Sequence, residues 1–255
     1  MKYPVINLFD LNVLNLTKSD TIAEIEQIIA AQAKAKFFFV NADCFNKLYL
    51  DEEYKRVLQS TSYILGDGSG VRYASKIVKT QIVDNVNGTD LLPLLCEYSE
   101  RHERRLFLLG ARPGIAEKMR ENLLRKYPKL QIVGVRHGYF ERDLESAEVI
   151  AELNASRADI LLVAFGAPFQ EKWIAQHFAE INCPIQLGVG GLFDFYSGNI
   201  PRAPFWMRRL GIEWVFRLLQ EPARMWRRYI IGNPLFIIRL LKWKKKSDKK
   251  KLRLL

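Results

Sequence analysis

The chain is poor in the residues that most often announce chemistry. Its 255 residues include three cysteines and three histidines. Cys44, Cys96 and Cys183 lie far apart, which excludes a disulfide framework and a Cys-x-x-Cys metal or redox pair and fits a reduced compartment. His102, His137 and His177 are scattered without metal-ligand spacing, so each reads as a surface or core histidine. The Gly-x-Gly-x-x-Gly dinucleotide fingerprint is missing, because Val71 and Phe193 stand where its third glycine is needed, and this removes nicotinamide chemistry. A Gly-x-x-x-x-Gly-Lys-Ser/Thr phosphate loop, an Asp-x-Asp metal-diphosphate motif and a Gly-x-Ser-x-Gly elbow are also missing. A spanning helix needs about 20 apolar residues. The stretch Tyr229 to Leu241 is shorter and is interrupted by Gly232, Pro234 and Arg239, so it can lie on a membrane but not cross one. From Met1 to Asp10 there is no apolar h-region with a small-residue cleavage site, so the protein is expected to stay inside the cell. No internal repeat is visible.

What the chain does have is unevenly spread. Hydrophobic residues make up 49%, enough for one substantial core. The net charge of +11 splits sharply: residues 1–201 carry 23 basic and 25 acidic residues, and residues 202–255 carry 16 basic and 3 acidic. Four of the five tryptophans, Trp206, Trp214, Trp226 and Trp243, also lie in the last part. Such asymmetry points to an appended surface that meets something anionic, a membrane or a nucleic acid.

Residues 1–201 alternate short apolar runs with longer amphipathic ones, the pattern of strands alternating with helices. Strands are expected at Val5 to Leu8, Phe37 to Asn41, Tyr63 to Gly66, Arg105 to Gly110, Gln131 to Val135, Ile160 to Ala164 and Pro184 to Val189. A helix is expected over Thr21 to Lys34, with Thr21 and Glu24 as its capping box. The fold class that follows is α/β: a Rossmann-like, layered, mostly parallel sheet whose ligands sit beyond the carboxyl ends of the strands. After Pro201 the pattern is helical without strands, over Pro204 to Leu210, Ile212 to Gln220 and Pro222 to Ile230. The division is therefore 1–201 as α/β core and 202–255 as a helical, basic appendage, with the Lys-rich end from Lys242 to Leu255 expected to be mobile.

Four strand ends carry unusual residues. Asn41-Ala42-Asp43 follows a run of phenylalanines. Asp67 stands between glycines in Gly66-Asp67-Gly68-Ser69-Gly70, where a backbone can approach a ligand and helix-start N–H groups favour anions; it could equally cap the following helix. Gly166-Ala167-Pro168-Phe169-Gln170-Glu171 leads a strand into a helix, and ordinary helix-start chemistry accounts for it as well. Gly188-Val189-Gly190-Gly191 precedes Asp194 and suggests either a backbone pressed against a ligand or a plain tight turn. In the appendage, Arg224 and Arg227 are three apart and share a helix face, and Arg217 lies one helix earlier; solvated arginines of a basic amphipathic helix read the same way.

Taken in order, the strings Gly-Asp-Gly-Ser-Gly-Val, Gly-Ala-Pro-Phe-Gln-Glu-Lys-Trp, Gly-Val-Gly-Gly-Leu-Phe-Asp-Phe, Arg-Ala-Pro-Phe-Trp-Met and Arg-Leu-Leu-Gln-Glu-Pro-Ala-Arg-Met-Trp-Arg-Arg-Tyr make the chain resemble the TagA/WecG/CpsF group of bacterial glycosyltransferases, to about Tyr229. The resemblance implies an inverting transferase that needs neither metal nor cofactor. It implies a UDP-sugar donor, in several members N-acetylmannosamine, and a polyprenyl-diphosphate-linked acceptor, in building cell-surface polymers such as teichoic acid linkage units or exopolysaccharide. It carries Asp67 over as catalytic base and Arg217, Arg224 and Arg227 as arginines that complete the diphosphate and acceptor site. Asn41, Asp43, Asn87, Gln170, Gly190, Gly191 and Asp194 are placed at the donor. One departure stands out: many members have Thr-x-Asn-Pro-Glu where this chain has Asn41-Ala42-Asp43-Cys44-Phe45, which sets a carboxylate where an amide is usual.

An N-acetylhexosamine is the expected donor sugar, with a uronic acid or a hexose as alternatives. A nucleic-acid-binding protein with a basic tail is the rival class, and the slightly acidic first 201 residues argue against it. A homo-oligomer is left open. The expected location is the cytoplasmic face of the bacterial membrane, bound peripherally. From Arg239 onward there are nine basic residues and one acidic. Each basic residue near an anionic leaflet is worth roughly 1 kcal/mol, so engaging half of them gives about a thousandfold in partitioning. Trp226, Trp243 and Phe236 are expected to add apolar contacts to the bilayer.

Overall fold

The computed structural model describes residues 3–252, with side chains as far as Lys249. In chain order the elements are β1 (Val5–Leu8), β2 (Leu11–Leu14), α1 (Lys18–Ala30), β3 (Ala35–Val40), α2 (Ala42–Leu48), α3 (Glu52–Gln59), β4 (Tyr63–Gly66), α4 (Gly68–Ile77), α5 (Gly88–Arg101), β5 (Arg105–Gly110), α6 (Ile115–Lys126), β6 (Gln131–Arg136), α7 (Arg142–Ser156), β7 (Ile160–Ala164), α8 (Phe169–His177), β8 (Ile185–Gly188) and α9 (Leu192–Tyr196). The appendage adds α10 (Phe205–Leu210), α11 (Glu213–Gln220), α12 (Pro222–Trp226), a π-helical turn (Arg227–Ile231) and α13 (Gly232–Leu252).

The eight strands form one sheet in the order β1-β2-β4-β3-β8-β7-β5-β6. All pairs are parallel except the β1–β2 hairpin. This is the expected α/β architecture, and the seven expected strands are present. β2 is additional. Its two-residue turn has Phe9 at φ 53° and Asp10 at φ 64°. Both residues of such a turn need positive φ, which Asn-Gly normally supplies and Phe-Asp does not advertise.

Side chains alternate across the sheet as the pleat requires. Phe38, Phe107, Leu109, Leu161 and Val163 pack on one face, while Phe37, Phe39, Leu106, Leu108 and Leu162 pack on the other. Helix α1 starts one turn earlier than expected. Thr17 caps it, with Asp20 completing the capping box, and Glu24 instead accepts hydrogen bonds from the hydroxyls of Tyr3 and Tyr63.

The largest difference from expectation is α13. Gly232 and Pro234 do not break it: α12, the π-helical turn and α13 follow one another without interruption, and the wide turn departs from the regular hydrogen-bond ladder just before the proline whose N–H is missing. The expected mobile stretch is helical as far as Leu252, and residues 253–255 lie outside the described residues. Phe236 and Leu240 are 1% and 0% exposed and belong to the core. Phe9 packs against Phe45, Phe236 and Trp243, whose Nε1 donates to Asp10 Oδ1 at 3.2 Å. Phe236 and Trp243 therefore face the protein rather than a bilayer. The exposed apolar side chains of the appendage are instead Phe205, Trp206, Leu210, Leu219, Trp226, Ile230, Ile231, Ile238 and Leu241.

Candidate active site

The carboxyl ends of β3, β4, β7 and β8 open into a cleft of about 1670 Å³ that α10, α11 and α12 wall on the other side. A pocket for one small ligand is about 300–1,000 Å³, so the cleft has room for two substrates. All eleven residues singled out in the sequence line it: Asn41, Asp43, Asp67, Asn87, Gln170, Gly190, Gly191, Asp194, Arg217, Arg224 and Arg227.

Asp67 occupies the N-cap position of α4, yet its side chain makes no cap hydrogen bond. The helix is started instead by Gly68 at φ 82°, whose N–H donates to Asn85 Oδ1 at 2.7 Å. The Asp67 carboxylate is thus left for the cleft, where it accepts from Asn41 Nδ2 at 3.2 Å. Burial pushes its pKa up; the Asn41 hydrogen bond and the charges of Arg228 and Arg217 pull it back, and Asp90 adds to the rise. A carboxylate raised in this way binds a proton more readily than an exposed one.

Asn41 has two tasks. Its Oδ1 caps α2 by accepting from the N–H groups of Asp43 and Cys44, and its Nδ2 holds Asp67. Asp43 is charge-matched on both sides, with Lys47 Nζ at 2.9 Å and Arg228 Nε at 3.7 Å from its Oδ2. The Asp43 carboxylate is consequently not a free negative charge.

Gln170 is 3% exposed, and its side chain ties two strand ends together. Its Oε1 accepts from Gly166 N at 3.1 Å and Gly190 N at 2.9 Å, and its Nε2 donates to Glu171 Oε1 at 2.9 Å. Gly188 gives it room, since a Cβ there would lie 3.0 Å from Gln170 Nε2. Asn87 caps α5 and donates to Asp90 Oδ2, so its amide is spent locally. Asp90 in turn pairs with Arg202 at 2.6 Å. Asp194 accepts from Asn199 Nδ2 at 3.3 Å.

The three appendage arginines separate in the structure. Arg217 lies over the Phe195 ring, and a Cβ on Gly191 would sit 3.7 Å from its Nη2, so it reaches the β8 strand end. Arg224 is exposed and pairs with Glu221 at 2.6 Å. Arg227 is exposed over Trp226. Arg228, which sequence reasoning passed over, is the one of the three in this stretch that reaches the strand ends. The π-helical turn that aims it leaves no mark in the sequence. Beneath the cleft, Glu171 is 0% exposed and burial pushes its carboxyl up to about 7. Among the described residues, no group of three or more His, Cys, Asp or Glu could hold a metal ion.

Comparison with known proteins places these residues in context. Residues 6–250 match the Glycosyl transferase WecG/TagA/CpsF family. A Staphylococcus aureus (strain MW2) protein named N-acetylglucosaminyldiphosphoundecaprenol N-acetyl-beta-D-mannosaminyltransferase is 29% identical over 248 residues, covering 96% of each chain. A Bacillus subtilis (strain 168) protein of the same name is 34% identical over 195 residues, covering 76% of this chain and 74% of that one. Among solved structures, nicotinate phosphoribosyltransferase from Vibrio cholerae aligns at a TM-score of 0.26 and 14% identity, over 71% of this chain and 48% of that one, too weak a likeness to indicate a shared fold.

Proposed function

The chain belongs to the WecG/TagA/CpsF family of glycosyl transferases, and from that premise we propose that it moves an N-acetylhexosamine, N-acetylmannosamine first, from a UDP-sugar to a polyprenyl-diphosphate-linked N-acetylglucosamine. The names of the two relatives support the acceptor and the sugar. The observation that carries the reading is the Asp67 carboxylate, set at a helix start but released from capping and facing the cleft.

In this reading the acceptor hydroxyl attacks the anomeric carbon from the face opposite the nucleotide. Its proton passes to Asp67, the bond from the anomeric carbon to the diphosphate breaks, and UDP leaves with the electron pair. Arg217 and the backbone at Gly191, with Arg224 and Arg227 closing from the appendage, meet the negative charge that grows on the diphosphate. Positive side chains thereby take the role a metal ion has elsewhere.

The acceptor reading brings a location with it. No helix of the described residues is long and apolar enough to cross a membrane. A polyprenyl acceptor is fixed in the bilayer, so the appendage is the surface that would rest on an anionic leaflet, through its exposed apolar side chains and the lysines of α13.

The test incubates full-length protein with a panel of labelled UDP-sugars and polyprenyl-diphosphate N-acetylglucosamine. Transfer of an N-acetylhexosamine with inversion, undiminished by chelator and lost in Asp67→Asn, is expected. Exclusive use of a uronic acid or a hexose would overturn the donor assignment, and a near-normal rate in the Asn variant would overturn the base.

A further inference from the structure

One cation in the cleft has no role in the reaction as described. Arg228 belongs to the π-helical turn, and among the described residues its Nε is buried with no hydrogen-bond partner. Turns of this kind recur at functional sites because the extra residue re-aims side chains that a regular helix would turn away.

The turn is seated on α2. Asn46 Nδ2 donates to the carbonyl of Gly232 at 2.7 Å, and Arg239 Nη1 donates to both Asn46 oxygens at 3.0 Å. One turn earlier on α2, Asp43 Oδ2 stands 3.7 Å from Arg228 Nε, and Lys47 fixes that same oxygen at 2.9 Å. The Asp43 N–H is held by Asn41 Oδ1 at 3.1 Å, and Asn41 Nδ2 holds Asp67 at 3.2 Å. One asparagine thus ties the Asp67 carboxylate to the backbone of Asp43 at the start of α2. Arg228 reaches Asp43 from a different segment of the chain and lines the same cleft as Asp67.

We propose that Arg228, seated by Asp43 and the π-helical turn, is a positioning residue that keeps the Asp67 carboxylate ionised at the floor of the cleft. A group sunk among protein atoms loses the water that stabilises its charge, and a neighbouring guanidinium restores part of that stabilisation. The groups facing Asp67 are Asn41 from the start of α2, Arg228 from the turn, Arg217 from α11 and Asp90 from α5, with Glu213 of α11 close behind. Of the two cations, Arg228 exerts the larger pull. A working base would then exist only while the appendage is seated on α2. The ionisation stands by itself; its catalytic consequence rests on the transferase reading.

Carboxyl carbon NMR of full-length protein labelled at aspartate reads the ionisation directly, with the Asp67 signal assigned from Asp67→Asn. In Arg228→Gln the Asp67 midpoint should rise by about one pH unit or more. Asn46→Ala, which loosens the seat of the turn and removes no charge, should raise it in smaller degree and serves if the Gln variant does not fold. In transfer assays the acidic limb of kcat/KM should move with the midpoint, whereas a purely structural role would lower activity at every pH and leave the limb in place. Arg228→Gln combined with Asp43→Asn should lose no more activity than Arg228→Gln alone, because both break one link. An unmoved midpoint in either folded variant, or additive losses in the pair, would overturn the proposal. If the wild-type protein transferred no sugar, the transferase reading would fail while the NMR titration still decided this one.

Discussion

The core and the appendage differ in almost every physical respect. Residues 1–201 carry a slight negative charge and bury both faces of an eight-stranded sheet; residues 202–255 carry +13 and, among their described residues, bury only Ala203, Met207, Met225, Phe236 and Leu240. The core offers the cleft a carboxylate, amides and glycine-rich turns. The appendage contributes arginines, among them Arg217 and Arg228 that bear on Asp67. Because Asp67 and these two arginines stand on different segments, the contact between the segments sets how strongly they interact.

The sharpest way to break the comparison is at Asp67. Asp67→Asn should lower kcat by about a thousandfold, within the range for a positioned base, and leave the thermal midpoint unchanged, as measured by transfer rate and calorimetry. A large fall in the midpoint would make Asp67 a structural residue of the core.

The next tests whether the appendage folds separately. Phe236→Ala removes a ring that is 1% exposed and should cost roughly 3–5 kcal/mol in urea unfolding. An independent tail would lose almost nothing there. A chain ending at Tyr229 should accordingly be less stable than full-length protein, since it lacks both Phe236 and Leu240.

Glu171 offers a prediction that belongs to the core alone. Its folded value of about 7 lies above the ordinary 4.5, so ionisation opposes folding. The cost is absent below about pH 4.5, grows between there and about 7, and is complete above, at about 3 kcal/mol. Between pH 5 and pH 8, Glu171→Gln should therefore lose less stability than the wild type. An equal loss in both would show that Glu171 is not the titrating group.

The smallest effect sharpens the surface side. Neutralising the exposed Lys245 and Lys246 with Gln should weaken binding to anionic vesicles by about 2 kcal/mol, roughly thirtyfold, and leave binding to neutral vesicles unchanged. An unchanged affinity would move the docking surface to the apolar side chains of α10 to α12.

Much of this was legible beforehand. Strand ends announced themselves because a parallel strand buried on both faces reads as a short apolar run that stops at glycine or a polar residue, as at Leu65-Gly66-Asp67 and Leu187-Gly188. Asn41, Asp43, Asp67, Gln170, Gly190 and Gly191 drew notice at such stops, whereas Arg217, Arg224 and Arg227 took their roles from the resemblance to the family. Arg228 was missed because a π-helical turn leaves no mark in the sequence, and the role of Gln170 as a tie between Gly166 and Gly190 was missed because its partners lie on different strands.

Sequence by itself determined the alternation that makes the sheet, the division of charge and the glycine-rich and polar strand ends that line the cleft, since periodicity, composition and local motifs are properties of neighbours along the chain. Tertiary structure alone decided the rest. Phe9 holds a positive φ where Phe45, Phe236 and Trp243 enclose it, and two of those side chains arrive more than 200 residues later. The apparent breaks at Gly232 and Pro234 lie inside a continuous helix, where a π-helical turn precedes them and α2 receives that turn through Asn46. Asp67 was either a cap or a free carboxylate until Asn41 and Asn85 came to flank it. In each case the local energies of the alternatives are close, and contacts between distant segments, which no window along the chain contains, make the difference.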